Sequence, residues 1–260
     1  MLSGKLKTIW WFVKRPQFLP HFFYIAQARL LGKLDTGGER IEATKWCQER
    51  AITTAEAIKT ITQKNDFPDF NVLFPEIMSK AQQIADLYPS VGGAGDLNLL
   101  YHLCEFVKAE RVVETGVGCG WSSLAVLLSL KNRLSAKLIS NDMPYVQADY
   151  ESIIGCVVPD ELKKQWTLKK FSDRMALPSS LKELGTIDLC HYDSDKNYIG
   201  RMWAYPLLWK ALRGGGIFIS DDIGDNMGFR DFCEKNNLSP IIIELTTGSV
   251  TKHIGVVVKQ

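Results

Sequence analysis

One stretch, residues 111–130 (Arg-Val-Val-Glu-Thr-Gly-Val-Gly-Cys-Gly-Trp-Ser-Ser-Leu-Ala-Val-Leu-Leu-Ser-Leu), constrains this chain more than any other. Val112 and Val113 read as a short buried strand, Gly116, Gly118 and Gly120 as a tight turn, and the apolar run from Trp121 as a helix. Residues without a Cβ let the backbone bend sharply and let a ligand approach the peptide groups. The helix that follows aims free N–H groups and the positive end of its dipole at whatever lies over the turn. Ser122 and Ser123 stand in its first turn, where a hydroxyl adds a donor. Such a unit is a ligand cradle at the carboxyl end of a first strand.

Two ligands compete for it. A dinucleotide-binding turn is usually Gly-x-Gly-x-x-Gly, with its acidic residue only after the second strand. Here the glycines alternate and Glu114 lies inside the end of the first strand. This pattern resembles the first motif of class I S-adenosylmethionine (SAM)-dependent methyltransferases. A carboxylate in that place suits a ligand carrying an ammonium group and repels a pyrophosphate. An NAD-dependent oxidoreductase stays open as the rival reading.

At 260 residues the chain has room for one large domain and an appendage. Its net charge of +2 is unevenly spread. Residues 1–40 hold seven Lys/Arg against Asp35 and Glu39, while the remainder holds 24 basic and 27 acidic residues. Nothing in the body of the chain asks for nucleic acid. The six cysteines form no Cys-x-x-Cys pair, which points to a reducing, cytoplasmic setting without structural zinc. Cys119 reads as a turn-packing residue.

The first forty residues interleave Trp10, Trp11, Phe12, Phe18, Phe22, Phe23 and Tyr24 with Lys14, Arg15, His21 and Arg29. Lys14-Arg15-Pro16 and Pro20 interrupt every window of the ~20 apolar residues that a spanning helix needs. No signal peptide fits either. Two readings stand: a peripheral segment at a bilayer interface, or an arm packed on the domain or on a second subunit of a homo-oligomer.

Apolar spacing predicts a helix over 41–63. Pro75 opens another, to about Leu87. Gly92, Gly93 and Gly95 make a bend, and Asp96 caps a helix over 97–108. The organisation is therefore a basic aromatic arm (1–40), a helical extension (41–86) and a catalytic domain (87–260). Beyond the cradle, strands over 137–142, 166–171, 187–192 and 217–220 alternate with helices, one of them over 198–212. A helix over 225–237 and strands over 240–245 and 251–258 close the chain. This order implies an α/β fold with a mostly parallel sheet and helices on both faces. With the resemblance, it implies the Rossmann-like, seven-stranded class I methyltransferase fold plus a helical N-terminal extension.

Asp142 ends the second strand, where a carboxylate commonly accepts ribose hydroxyls. The resemblance places Ser172 and Asp173 against the adenine ring. Asp193 ends the fourth strand, and Asp221 and Asp222 end the fifth. Adjacent strand ends bring these three carboxylates together, and close carboxylates must take up protons, pair with bases or bind a cation. Oxygen-only ligands favour Mg²⁺ or a similar hard ion. The segment Asp193-Ser-Asp-Lys-Asn-Tyr198 resembles the one in catechol and caffeoyl-CoA O-methyltransferases that supplies a metal aspartate and, three residues on, a lysine. By that match Asp193 is a metal ligand and Lys196 the base for the acceptor hydroxyl. Those relatives usually continue with Asp-Asn, whereas Asp221-Asp222 looks more like the macrocin-type sugar O-methyltransferases. Asp195 reads as surface and His191 as packed. The implied enzyme is a SAM-dependent, Mg²⁺-assisted O-methyltransferase acting on a small-molecule or sugar hydroxyl. A non-catalytic membrane-associated protein that keeps the fold is the other alternative.

Overall fold

Strands and helices alternate to build one eight-stranded sheet covered on both faces. The computed structural model describes residues 2–30, 37–144 and 150–260. In chain order, α1 (Leu2–Val13) and α2 (Leu19–Leu30) form the arm, followed by α3 (Gly37–Gln48), β1 (Ala51–Ile52) and α4 (Thr54–Thr62). Next come α5 (Phe70–Leu73), α6 (Pro75–Ala85) and α7 (Leu97–Phe106). The alternating part is β2 (Arg111–Thr115), α8 (Trp121–Leu130), β3 (Lys137–Asn141), β4 (Trp166–Lys169), α9 (Asp173–Leu184), β5 (Ile187–Tyr192), α10 (Tyr198–Ala211) and β6 (Leu212–Ser220). Helix α11 (Gly228–Lys235) leads into the hairpin β7 (Ile241–Thr247) and β8 (Val250–Val258).

Across the sheet the order is β1-β7-β8-β6-β5-β2-β3-β4, with β8 alone running against the others. Strands β3 and β4 lie to one side of β2, and β5 and β6 to the other. The connections therefore reverse at β2/β5, and in open α/β sheets ligands bind outside the carboxyl ends of the strands at such a point.

Three expectations need correction. The sheet has eight strands rather than seven, because Ala51 and Ile52 add in parallel to Ile242 and Ile243 at the edge. The helix expected over 41–63 is accordingly two helices. Its second half starts afresh at a capping box: the Thr53 hydroxyl accepts from the Glu56 N–H, and the Glu56 carboxylate accepts from the Thr53 N–H at 2.9 Å. The helix expected over 225–237 is also shorter, since a 3₁₀ turn at Ile223–Asp225 precedes α11.

One face of the sheet buries Ile58, Leu99, Leu103 and Leu124, and the other buries Leu177, Tyr205, Leu208, Phe218 and Phe232. Each such side chain contributes about 1.5–3 kcal/mol by leaving water. Helix α8 is buried all round except at Ser122, so the helix behind the cradle is held by packing on every side. The arm rests on the domain through Trp11, Phe12 and Phe18, which pack with Met143 and Met175 beside the ends of β3 and β4.

Candidate active site

The cradle is shaped by contacts that exclude side chains. A Cβ on Gly116, whose φ is +80°, would lie 2.2 Å from the backbone oxygen of Asp193. The ends of β2 and β5 thus touch where the glycine stands. Gly120 (φ +99°) caps the start of α8, and a Cβ on it would lie 2.8 Å from the Cα of Gly155. A cavity of about 840 Å³ opens above, lined by Gly116, Gly118, Ser122, Asp142, Ser172, Asp173, Asp193, Lys196, Asp221 and Asp222. The Gly92–Gly93 bend also lines it.

Glu114 and Gly120 lie beneath this lining rather than on it. Glu114 is fully buried and accepts from the hydroxyls of Ser123 and Ser140 at 2.5 and 2.6 Å. Its other oxygen faces Nδ1 of His191 at 3.6 Å. Burial works against charge on both groups, yet their mutual attraction raises the imidazole's pKa and lowers that of the carboxyl. Glu114 is therefore turned toward His191 and away from the cavity lining, where the sequence leads one to expect contact with a ligand's ammonium group. The packed role read for His191 agrees with its burial.

Asp142 accepts from the N–H groups of Val117 and Gly118 at 3.0 and 2.9 Å, and burial pushes its carboxyl up to about 6. Asp173 accepts from the Ser194 hydroxyl, which also bonds Thr115, and burial pushes Asp173 up to about 7. The Ser172 hydroxyl is buried without a hydrogen-bond partner among the described residues. An acid whose folded pKa is raised adds a penalty that is absent below its unfolded value, near 3.8, and complete above its folded value, near 7. Asp173→Asn is therefore expected to stabilise the ligand-free protein by roughly 2–4 kcal/mol above pH 7. The gain should fade to nothing as the pH falls toward 3.8, which thermal unfolding across that range measures.

At the neighbouring strand ends, one carboxylate oxygen from each of Asp193, Asp221 and Asp222 lies within 4.8 Å of the others. Two lysines answer them. Lys196 pairs with Asp193 at 2.9 Å and with Asp222, and Lys252 pairs with Asp221 at 2.6 Å. Burial disfavours charge on Lys196, but Asp193 and Asp222 hold its pKa above the ordinary lysine range. In this arrangement Lys196 is a cation rather than a base. Asp193 is pushed up to about 6 by burial and by Asp221, whereas Lys196 keeps Asp222 low despite burial. Oδ1 of Asp193 is the atom that Lys196 approaches, whereas Oδ1 of Asp221 is buried without a hydrogen-bond partner among the described residues. Three hard oxygens with unused lone pairs fit a divalent cation.

Several participants escaped the sequence reading. Lys252 reaches the cluster from β8, on the same side as the buried Ile254 and Val256. Arg201 is fully buried in α10 and donates to the backbone oxygens of Asp221 and Asp222 at 3.3 and 2.7 Å, fixing that corner from behind. Both had a signal: Arg201 falls on the buried stripe 201, 204, 205, 208, and Lys252 on the apolar alternation 252, 254, 256. Asp195, read as surface, is half-buried, and its carboxyl leaves no room for a Cβ on Gly200. The guanidinium of Arg174 lies 3.9 Å from the ring centroid of Tyr24 and 4.6 Å from that of Trp203, and all three line the cavity. Cys119 agrees with a packing role, because burial pushes its thiol up to about 12.

The comparisons with known proteins bear on this geometry. Residues 113–223, from β2 through the Asp221-Asp222 corner, match the family model described as a methyltransferase domain. This segment is a methyltransferase domain. Solved structures share its fold. The O-methyltransferase TomG from Streptomyces achromogenes, involved in tomaymycin synthesis and in complex with SAM, is 18% identical with a TM-score of 0.57, over 80% of this chain and 100% of that one. An O-methyltransferase from Bacillus cereus in complex with SAH is 15% identical with a TM-score of 0.56, over 82% and 100%. Cofactor-bound Rv0187 from MTB is 13% identical with a TM-score of 0.58, over 78% and 94%. No curated protein matches the sequence. The matched segment of the methyltransferase domain holds the cradle, Asp142, Ser172, Asp173 and all three clustered aspartates, but neither Lys252 nor the arm.

Proposed function

We propose that this SAM-dependent methyltransferase methylates a hydroxyl oxygen of a small molecule or sugar, assisted by a divalent cation such as Mg²⁺ on Asp193, Asp221 and Asp222. The observation that carries the reading is one cavity shared by the glycine cradle and the three-carboxylate cluster, joined where Gly116 abuts Asp193. SAM and SAH in the TomG and Bacillus cereus structures support the ligand. The hydrogen bonds of Asp142 speak against NAD, since its carboxylate takes the Val117 and Gly118 N–H groups that a pyrophosphate would need.

When bound, SAM supplies a methyl group already activated by its sulfonium charge, and the cation supplies charge that acidifies an acceptor hydroxyl. The chain's own residues do the positioning. The cradle and Asp142 orient the methionine and ribose ends, and the Ser172 hydroxyl and Asp173 take the adenine end. Asp193, Asp221 and Asp222, braced by Arg201, fix where acceptor oxygens sit. Lys196 yields a proton-accepting amine only when other positive charge takes over its two carboxylate partners. Orientation of this kind supplies much of the barrier reduction in a direct group transfer.

Thermal unfolding with SAH, SAM and NAD, each with Mg²⁺ or chelator, tests the reading. SAH at about one hundred times its Kd is expected to stabilise the protein by about 2.7 kcal/mol, and NAD to do nothing. A shift with NAD alone would overturn the assignment.

A further inference from the structure

The arm presents two unlike faces. In α1, Trp11 and Phe12 are buried, whereas Ile9, Trp10 and Val13 share the opposite side of the helix and are 48%, 59% and 56% exposed. In α2, His21 and Tyr24 line the cavity, whereas Phe23 and Leu30, two turns apart on one stripe, are 66% and 88% exposed. Lys14 borders the first apolar patch, its ammonium 5.4 Å from the Trp10 ring centroid. Residues 1–34 carry six Lys/Arg and no Asp or Glu. Aromatic and aliphatic residues on one side, a basic border and no acids make the composition of helices that lie in a bilayer interface.

We infer that α1 and α2 dock this enzyme onto an anionic membrane surface, with Ile9, Trp10, Val13, Phe23 and Leu30 toward the acyl boundary and the basic side chains among the headgroups. Charge complementarity selects this occupant. A second copy would bring the same acid-free basic segment against itself, whereas anionic headgroups attract every Lys and Arg near the surface. Among the described residues no helix is long and apolar enough to cross a membrane, and α1 and α2 have twelve residues each. Because α2 turns one side to the cavity and the other outward, docking sets the cavity about one helix diameter, ~10 Å, from lipid.

The test is co-sedimentation of the full chain with phosphatidylcholine vesicles containing phosphatidylglycerol, and with phosphatidylcholine alone. Capture is expected on the anionic vesicles only and should weaken in high salt. Lys14→Glu, a change of two charge units, should lower it roughly thirtyfold, and Ile9→Glu/Trp10→Glu should abolish it. All three side chains are exposed, so circular dichroism and the thermal midpoint should match the parent. Equal capture by phosphatidylcholine alone, or unchanged capture of the double variant, overturns the inference. So does a concentration-dependent dimer, seen without vesicles, that the same double substitution dissolves, because it gives this face to a second copy. The readout is binding, so it stands or falls separately from the methyl-transfer reading.

Discussion

Gly116→Ala is expected to abolish SAH binding while also lowering stability. The added carbon would sit 2.2 Å from the backbone oxygen of Asp193 and 2.6 Å from its carbonyl carbon. Neither atom belongs to a side chain that can swing aside. The strand ends are tied there, with the Asp193 N–H donating to Thr115 and the Gly116 N–H to Asn141, both at 2.8 Å. Relief therefore means parting β2 from β5, which displaces the cradle and Asp193 together. The positive φ adds about 1–2 kcal/mol for any residue with a Cβ. Gly248→Ala separates the two contributions, since Gly248, in the β7–β8 turn and off the cavity lining, has φ +61° but nothing within 4 Å of its Cβ position. That variant should lose only about 1–2 kcal/mol of stability and bind SAH normally. Calorimetric titration of both decides the matter, and normal SAH affinity in Gly116→Ala would show that the ligand sits elsewhere. Gly118→Arg should also abolish SAM binding, by filling the cradle next to Val91.

The parallel part of the fold was legible because each of its signals is local. Val112 and Val113 before alternating glycines, and Ile187–Tyr192 before Asp193, are runs whose apolar content and terminating residue lie side by side. The edge strand β1 was not legible, since two residues carry no periodicity and Ala51 and Ile52 are strand only by pairing with β7. The capping box at Thr53 and Glu56 did announce the helix break, and a 3.6-residue apolar rhythm running through it masked that signal. At the site, the three aspartates could be grouped because topology alone places strand ends together. Lys196 was legible beside Asp193, but the groups that reach the cluster from distant elements could not be placed there. Lys252 arrives from the final hairpin and Arg201 from within α10, so only tertiary packing shows that this acidic cluster is already mostly neutralised. Glu114 marks a further limit: its position in the strand was clear, but the side toward which it turns was settled by Ser123, Ser140 and His191.

Asp193→Ala is expected to remove cation-dependent turnover while leaving SAH affinity nearly unchanged. Three carboxylates face two ammonium groups, so the cluster retains one uncompensated negative charge and, among the described residues, one buried oxygen of Asp221 without a partner. A cation entering it competes with Lys196 and Lys252 rather than filling an idle site. Charges about 4 Å apart near a protein surface interact by roughly 4 kcal/mol, enough for one lysine to set cation affinity. Lys252→Met should therefore tighten Mg²⁺ binding by tenfold or more, on the order of 1.4 kcal/mol, and make the cation-free protein less stable because Asp221 loses its partner. Asp193 is the cleaner site for removing a ligand. It is half-exposed and its side chain takes no part in the cradle, whereas Asp221→Ala would strand Lys252. A loss of several kcal/mol in charge stabilisation corresponds to a fall of roughly a thousandfold in turnover, and chelator should reproduce it in the parent but not in Asp193→Ala. Full methyl transfer by Asp193→Ala in chelator would instead make the cluster a lysine–aspartate brace for the strand ends. Lys196 would then remain protonated through the reaction, and proton removal would have to fall to another group or to water.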